Sequence, residues 1–437
     1  VDSLKMSATP TAADASLSSR SRSLQLLGIL SGLTAGAWLG AAEAPTKLVT
    51  LGLSPMVISL VMVVGVFLAR WSLPALILGS SSIRADARRT PHLIVWAILA
   101  GCLWAVANTL TVYAIRDIGL SIAFPLWNSN SLLGILWGFL FFNELRGAGL
   151  SRWLGVLGGT LVMCLGAAIL AIASSGTHAP GINPTHGILA ALGAGVLWGT
   201  MYIPYRKAYL SGMNPLSFVT FFTIGELGMM SALSLGTLGR QNLFAQLSAA
   251  RGVIFWLMLG GFIWVIGDLF QQYAAKYVGI SRGIPLSNTN QLWGLLWGVF
   301  VFGELHGRST TTYTQVIGGS LLMILGVAAI ALSSASPQES AQWKVAALRE
   351  SDRYALSADF VEARMDGRQS VGEAAPSRGV LDWFLIALAT AVFLYFASIA
   401  RIPDISWHWK PAMALVVVSL WLLFVCGRFL YRTTRFQ

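Results

Sequence analysis

Two carboxylates lie inside stretches that are otherwise apolar: Asp268 in GFIWVIGDLFQQYA and Glu226 in FFTIGELGMM. An ionised side chain at the centre of a membrane span costs roughly 2.5–3.5 kcal/mol on insertion scales, so it is kept for a partner or for a task. The task that suits an acid in a dry surrounding is to bind and release a proton. The structural alternative is a hydrogen bond to a neighbouring helix. The stretch of the first half that corresponds to the surroundings of Glu226 holds no acid.

Two aromatic–polar pairs come next. Trp104 stands four residues before Asn108, and Trp264 four before Asp268, so each pair shares one helix face. An indole plane beside an amide or carboxylate suits a sugar, with the ring stacking on C–H faces and the polar group binding hydroxyls. The alternative is a Trp packed on lipid or on another helix. The Pro-x-x-Asn-x-Asn elements (Pro125, Asn128, Asn130 and Pro285, Asn288, Asn290) predict broken spans. Each proline removes an N–H and frees the carbonyl four residues back, at Ser121 or Ser281. Positions i and i+2 of an ideal helix point about 200° apart, so both amides face one cavity only if the helix is distorted. Trp38, Trp198 and Gln271 complete the candidate substrate contacts, and Glu226 and Asp268 are the candidate proton-coupling groups.

The elements that must position these residues are membrane helices. The chain of 437 residues is 55% hydrophobic and 11% charged, against about 25% charged in an ordinary soluble domain. Apolar runs near 24–42, 53–78, 92–113, 119–142, 153–174, 186–205, 215–236, 253–273, 280–302, 313–334, 381–400 and 411–430 each suit one crossing of the bilayer. The net charge of +11 comes without an aromatic-interleaved basic surface, which excludes a nucleic-acid reading. Most Lys and Arg fall between runs on one side, with Arg84, Arg88 and Arg89 as the strongest cluster and Arg70 counted with them. This predicts cytoplasmic N- and C-termini in a cell (inner) membrane. No nucleophile–base pair, His cluster, Walker loop or Gly-rich cofactor fingerprint is present, so neither an enzyme nor a bound cofactor or metal is expected. Cys102, Cys164 and Cys426 read as small buried apolar residues.

The chain also repeats itself. GCLWAVANTLTVYAIRDIG (101–119) aligns without gaps on GFIWVIGDLFQQYAAKYVG (261–279), and FPLWNSNSLLGILWGFLFFNELRG (124–147) on IPLSNTNQLWGLLWGVFVFGELHG (284–307). The copies agree on Pro, Asn, Gly, Trp and Glu, whereas chance likeness of apolar runs would match only Leu and Val. Five spans per copy is an odd number, so the second copy must enter the membrane inverted. Inverted repeats place a substrate site near the midplane.

These motifs, together with the spans ending Phe-Asn-Glu-Leu and Phe-Gly-Glu-Leu, resemble the drug/metabolite transporter superfamily, and within it the glucose/ribose porter branch of sugar transporters. The resemblance covers about residues 24–334. It implies a secondary carrier for a small polar solute, a monosaccharide first, with a proton or cation as co-substrate. Another metabolite such as a ureide, nucleoside or drug is the alternative substrate. A ligand-sensing scaffold that signals through the C-terminal extension is the reading of another class.

The organisation expected is therefore all-α and polytopic, a 5+5 inverted repeat with two further spans, twelve in total. Its parts are a cytoplasmic tail (1–23), the two copies (24–174 and 175–334), a cytoplasmic linker (335–378) and a two-helix extension (379–437). Residues 341–366 read as an amphipathic helix lying on the membrane surface. Glu144 and Glu304 read as loop salt bridges or caps beside Arg146 and Arg308, and spans eleven and twelve as a lipid-facing accessory or homodimer element.

Overall fold

The structure, a computed structural model, describes residues 12–42, 44–45, 48–49, 52–118, 123, 126–127, 129–174, 184–303, 305–369, 377–401 and 407–437. All regular elements among them are helical. Ten are long and apolar enough to cross a membrane, as an all-α polytopic membrane protein requires.

The first copy contributes α1 (Ala12–Ala41), α2 (Pro55–Ile77), the short α3 (Ser80–Arg89), α4 (Pro91–Ile118), α5 (Asn130–Phe142) and α6 (Leu150–Ala173). The second contributes α7 (Pro184–Leu210), α8 (Pro215–Ala249), α9 (Ile254–Val278), α10 (Ile280–Ser287), α11 (Asn290–Leu296) and α12 (Thr310–Leu332). Starts of equivalent helices are built alike. Ser54 caps α2 by accepting from Met56 N, Asn214 caps α8 by accepting from Leu216 N, and each cap is followed by a proline whose missing N–H is not needed there.

Two expected spans fall outside the ten, and both carry the Pro-x-x-Asn-x-Asn element. The stretch 119–142 is described as a long helix only in α5, and 280–302 divides into α10, α11 and a π-helical turn, Trp297–Val301. Proline inside a helix removes a ladder bond, and the chain leaves the helix at Asn288, three residues beyond Pro285.

The two copies embrace each other. Helix α1 packs on α9 and α11 of the second copy, and α7 packs on α4 and α5 of the first; α2 crosses α9 just as α8 crosses α4. The crossings use glycines at equivalent positions. A Cβ on Gly65 would lie 2.2 Å from Met258 O and one on Gly261 2.1 Å from Met62 O. In the mirrored crossing, Gly225 meets Ile98 O at 2.0 Å and Gly101 meets Phe222 O at 2.1 Å. Only a hydrogen in place of a side chain lets these backbones touch.

The linker differs from the sequence expectation. Its helices α13 (Pro337–Arg353) and α14 (Ala358–Met365) turn their apolar face to the protein, with Trp343 and Val361 buried. Ion pairs draw the linker inward. Glu339, fully buried, holds Arg282 at 2.6 and 2.9 Å, and Lys207 reaches Glu350 at 2.6 Å. Buried charges are tolerated only when paired in this way. The extension then adds α15 (Val380–Ser398) against α2 and α16 (Trp409–Thr434) against α1.

Candidate functional site

The repeat brings its matched residues to one cavity of about 290 Å³ between the copies, near the lower end of the roughly 300–1,000 Å³ usual for small-molecule sites. Trp104, Asn108, Trp198, Trp264, Gln271, Asn288 and Asn290 all line it, with Ser59 and Tyr202 added by the fold. Trp104 and Trp264 meet edge to face, ring centroids 5.5 Å apart.

Most cavity amides are held in place by hydroxyls. Asn108 Nδ2 donates to Ser59 Oγ at 3.2 Å, Asn288 Nδ2 to Ser131 Oγ at 2.7 Å, and Gln271 Nε2 to Ser287 Oγ at 2.6 Å. The break at Asn288 explains how both second-copy amides reach one space: Asn288 closes α10 and Asn290 opens α11, so they do not sit on one ideal helix. Two polar atoms of the lining, Asn290 Oδ1 and Trp198 Nε1, are buried without a hydrogen-bond partner. One is an acceptor and the other a donor, a pairing that a hydroxyl satisfies from either side.

Two sequence candidates lie elsewhere. Trp38 turns to the extension, its indole N–H donating to Ser419 O at 3.1 Å, because α16 covers that face of α1. Asn130 is buried behind the cavity, where its Oδ1 accepts from Ser131 Oγ at 3.2 Å. Asn128, like Pro125, Glu43 and Glu304, lies outside the described residues.

The two acids meet behind Trp264. Arg70 of α2 spans them, with Nη1 at 2.7 Å from Glu226 Oε2 on α8 and Nη2 at 2.7 Å from Asp268 Oδ2 on α9. All three side chains are buried. The guanidinium also lies 4.4 Å from the Phe222 ring centroid and 5.1 Å from that of Trp264. Asp268 Oδ1 accepts from Gln272 Nε2 at 2.8 Å, and Gln272 Oε1 accepts from the Tyr209 hydroxyl. Asp268 stands one turn from both Trp264 and Gln271, so the charged cluster and the cavity share a wall.

The sequence reading counts Arg70, in the inner half of span two, with the topology charges; the structure buries it fully within α2 and pairs it with two acids. Its signal was present in the sequence, since a cation inside an apolar run needs a partner by the same reasoning that singled out Asp268. The cluster breaks the repeat at each of its members. Met230, Val66 and Asn108 occupy the positions equivalent to Arg70, Glu226 and Asp268.

Glu144 also differs from expectation. It pairs across the copies with Arg206 Nε at 2.8 Å and accepts from the backbone N–H groups of Ile280 and Ser281 at 3.1 and 2.9 Å, capping α10. Gly279 makes room: it holds φ 82°, and a Cβ there would lie 2.6 Å from the Glu144 carboxylate.

Comparison with known proteins bears on this architecture. Residues 189–351 match the family model described as Sugar transport protein. A protein of Streptococcus pyogenes serotype M1 named for sugar uptake is 33% identical over 159 residues, 36% of this chain and 49% of its own length. A glucose uptake protein of Staphylococcus xylosus is 22% identical over 238 residues, 53% of this chain and 76% of its own. The chain thus spans about half the length of the first of these relatives. A solved structure aligns over 71% of this chain and 98% of its own at 18% identity, with a TM-score of 0.44. The resemblance to a sugar-transporter family is therefore found in sequence comparison as well as in the repeat motifs.

Proposed function

We propose that this chain, which carries a sugar-transport family sequence over residues 189–351, is a secondary carrier that takes up a monosaccharide by alternating access and couples it to a proton. The observation that carries the reading is a single wall shared by a charged cluster and a sugar-sized, largely apolar cavity with a few polar groups in its lining. Trp104 and Trp264 offer apolar faces for the C–H side of a sugar ring, and Asn290 Oδ1 and Trp198 Nε1 offer the unpaired acceptor and donor for its hydroxyls.

The coupling argument is one of charge balance. Arg70 supplies one positive charge to two carboxylates in a fully buried place, so the ionised cluster carries an excess negative charge that low-dielectric surroundings penalise. A proton on Glu226 or Asp268 removes the excess. Asp268 sits between Trp264 and Gln271 on α9, so a shift of α9 on substrate binding alters the grip of Arg70 and the proton's hold together. The inverted repeat supplies two pseudo-equivalent arrangements between which such a shift runs. The termini are taken as cytoplasmic, with residues 24–174 and 175–334 as the moving halves.

Proteoliposomes holding the full chain and a labelled monosaccharide test this. Accumulation above equilibrium is expected under an inward proton gradient. Glu226→Gln and Asp268→Asn should lose gradient-driven accumulation while sugar binding persists. If both variants still concentrate sugar under the gradient, proton coupling through this cluster is wrong. If the unaltered protein neither binds nor moves any monosaccharide, the sugar reading is wrong.

A further inference from the structure

We propose that a second cavity, between the core and the linker, is a binding site for a phosphate-bearing anion. It has a volume of about 200 Å³ and is lined by Arg20 of α1, Arg206 of α7, Lys276 of α9, Trp343 and Lys344 of α13, and Asp366 just beyond α14. Four cations and one carboxylate are in its lining; Arg206 is paired with Glu144 from behind at 2.8 Å, and the Asp366 carboxylate is engaged by Arg368 at 2.9 Å.

Buried donors give the second, independent observation. Arg206 is 1% exposed and uses Nη1 on the carbonyls of Ala275 and Lys276, at 3.2 and 2.9 Å, and Nε against Glu144, but its Nη2 has no hydrogen-bond partner. Trp343 is 6% exposed and lies 4.7 Å beneath the same guanidinium, and its indole N–H is also without a partner. Unpaired buried donors are costly. Both groups here can only donate, so the ligand that satisfies them must accept. A phosphate oxygen does so at full charge and with the geometry that a guanidinium fits. The small volume favours a compact headgroup or a free phosphate over a drug-sized molecule. An anion held there touches α1, α7 and α9 of the core and α13 of the linker at once, and so fastens the linker across that end of the bundle.

The 437-residue chain in a neutral detergent is titrated with inorganic phosphate and with a hexose 6-phosphate at ionic strength fixed with chloride, read by calorimetry and thermal shift. Saturable binding is expected, weakened about tenfold or more by Arg206→Lys, which keeps a charge beside Glu144 but lacks the Nη2 donor. Lys344→Gln, an exposed change that leaves the fold intact, should weaken it about threefold. A second arm compares phosphatidylcholine nanodiscs with and without phosphatidylglycerol. Binding of soluble phosphate in neutral detergent supports a free ligand. Stabilisation seen only with phosphatidylglycerol, and reduced in Lys344→Gln, supports a lipid headgroup at the same site. Absence of binding in every arm, or binding that neither substitution alters, overturns the proposal. The inorganic-phosphate and nanodisc arms use no sugar and no gradient, so they are independent of the transport reading.

Discussion

Trp104 and Trp264 hold equivalent positions in the two copies and touch edge to face, with ring centroids 5.5 Å apart, at the wall of the central cavity. A contact between equivalent residues means that the pseudo-axis relating the copies passes close to the pair. It also places a symmetric aromatic surface beside a cluster that is wholly asymmetric. Aromatic pairs of this geometry contribute about 0.5–1.5 kcal/mol beyond their buried area. A double-mutant cycle with Trp104→Leu and Trp264→Leu should therefore show a coupling energy in that range on thermal unfolding, and either single change should weaken sugar binding measured by calorimetry. Purely additive unfolding effects would remove the pair from the account.

Arg70 should be far less replaceable than either of its partners. Arg70→Met leaves two buried carboxylates facing each other, and breaking a buried pair by removing one partner costs about 3–5 kcal/mol. Glu226→Gln still leaves Asp268 to neutralise the guanidinium, so its cost should be clearly smaller. Unfolding in detergent followed by near-UV circular dichroism reads the difference. Equal stability of the two variants would mean that the cluster is not organised around Arg70.

Asn290 Oδ1 and Trp198 Nε1 have no hydrogen-bond partner in the protein, so a substrate that binds them gains without first breaking a protein bond. Asn290→Leu should raise the Kd for a monosaccharide about tenfold, in keeping with a hydrogen bond lost from a buried polar contact, and leave thermal stability nearly unchanged. The same change at Asn130, which is paired with Ser131 away from the lining, should do the reverse. Calorimetry together with thermal shift separates the two outcomes.

The linker should come loose when Glu339 is lost. Glu339→Ala leaves Arg282 buried without its carboxylate and removes the acceptor for Leu145 N, a local cost of about 3–5 kcal/mol. Limited trypsin digestion should then cut within α13 and α14 many times faster while the core stays resistant. Unchanged digestion would show that the linker is held by its apolar face alone.

How much of this could be read beforehand depended on what kind of signal each residue carried. Asp268, Trp104 and Asn288 announce themselves because polar and aromatic groups in register across a repeat have few innocent explanations, Glu226 because an acid in an apolar run needs a partner or a task, and the break at Asn288 was marked by Pro285. Arg70 was hidden by its position near the end of an apolar run, where a topology charge is the ordinary reading. Trp38 shows the limit of a helix face: its neighbour is α16, which the repeat does not encode. The pairing of Glu144 with Arg206 and of Glu339 with Arg282 depends on which helix ends meet in three dimensions, and local sequence says nothing about that.

The paired glycine crossings bear on how the chain is made. Gly65 closes on Met258 and Gly101 on Phe222, so the faces of α2 and α4 are each completed by helices that leave the ribosome much later. Chains emerge N-terminal part first. The first copy therefore waits in the bilayer as a set of separate helices with bare glycine grooves, and it locks only when α8 and α9 arrive. Gly65→Leu should reveal this as a chain that inserts fully but fails to mature, the defect appearing in assembly rather than in insertion.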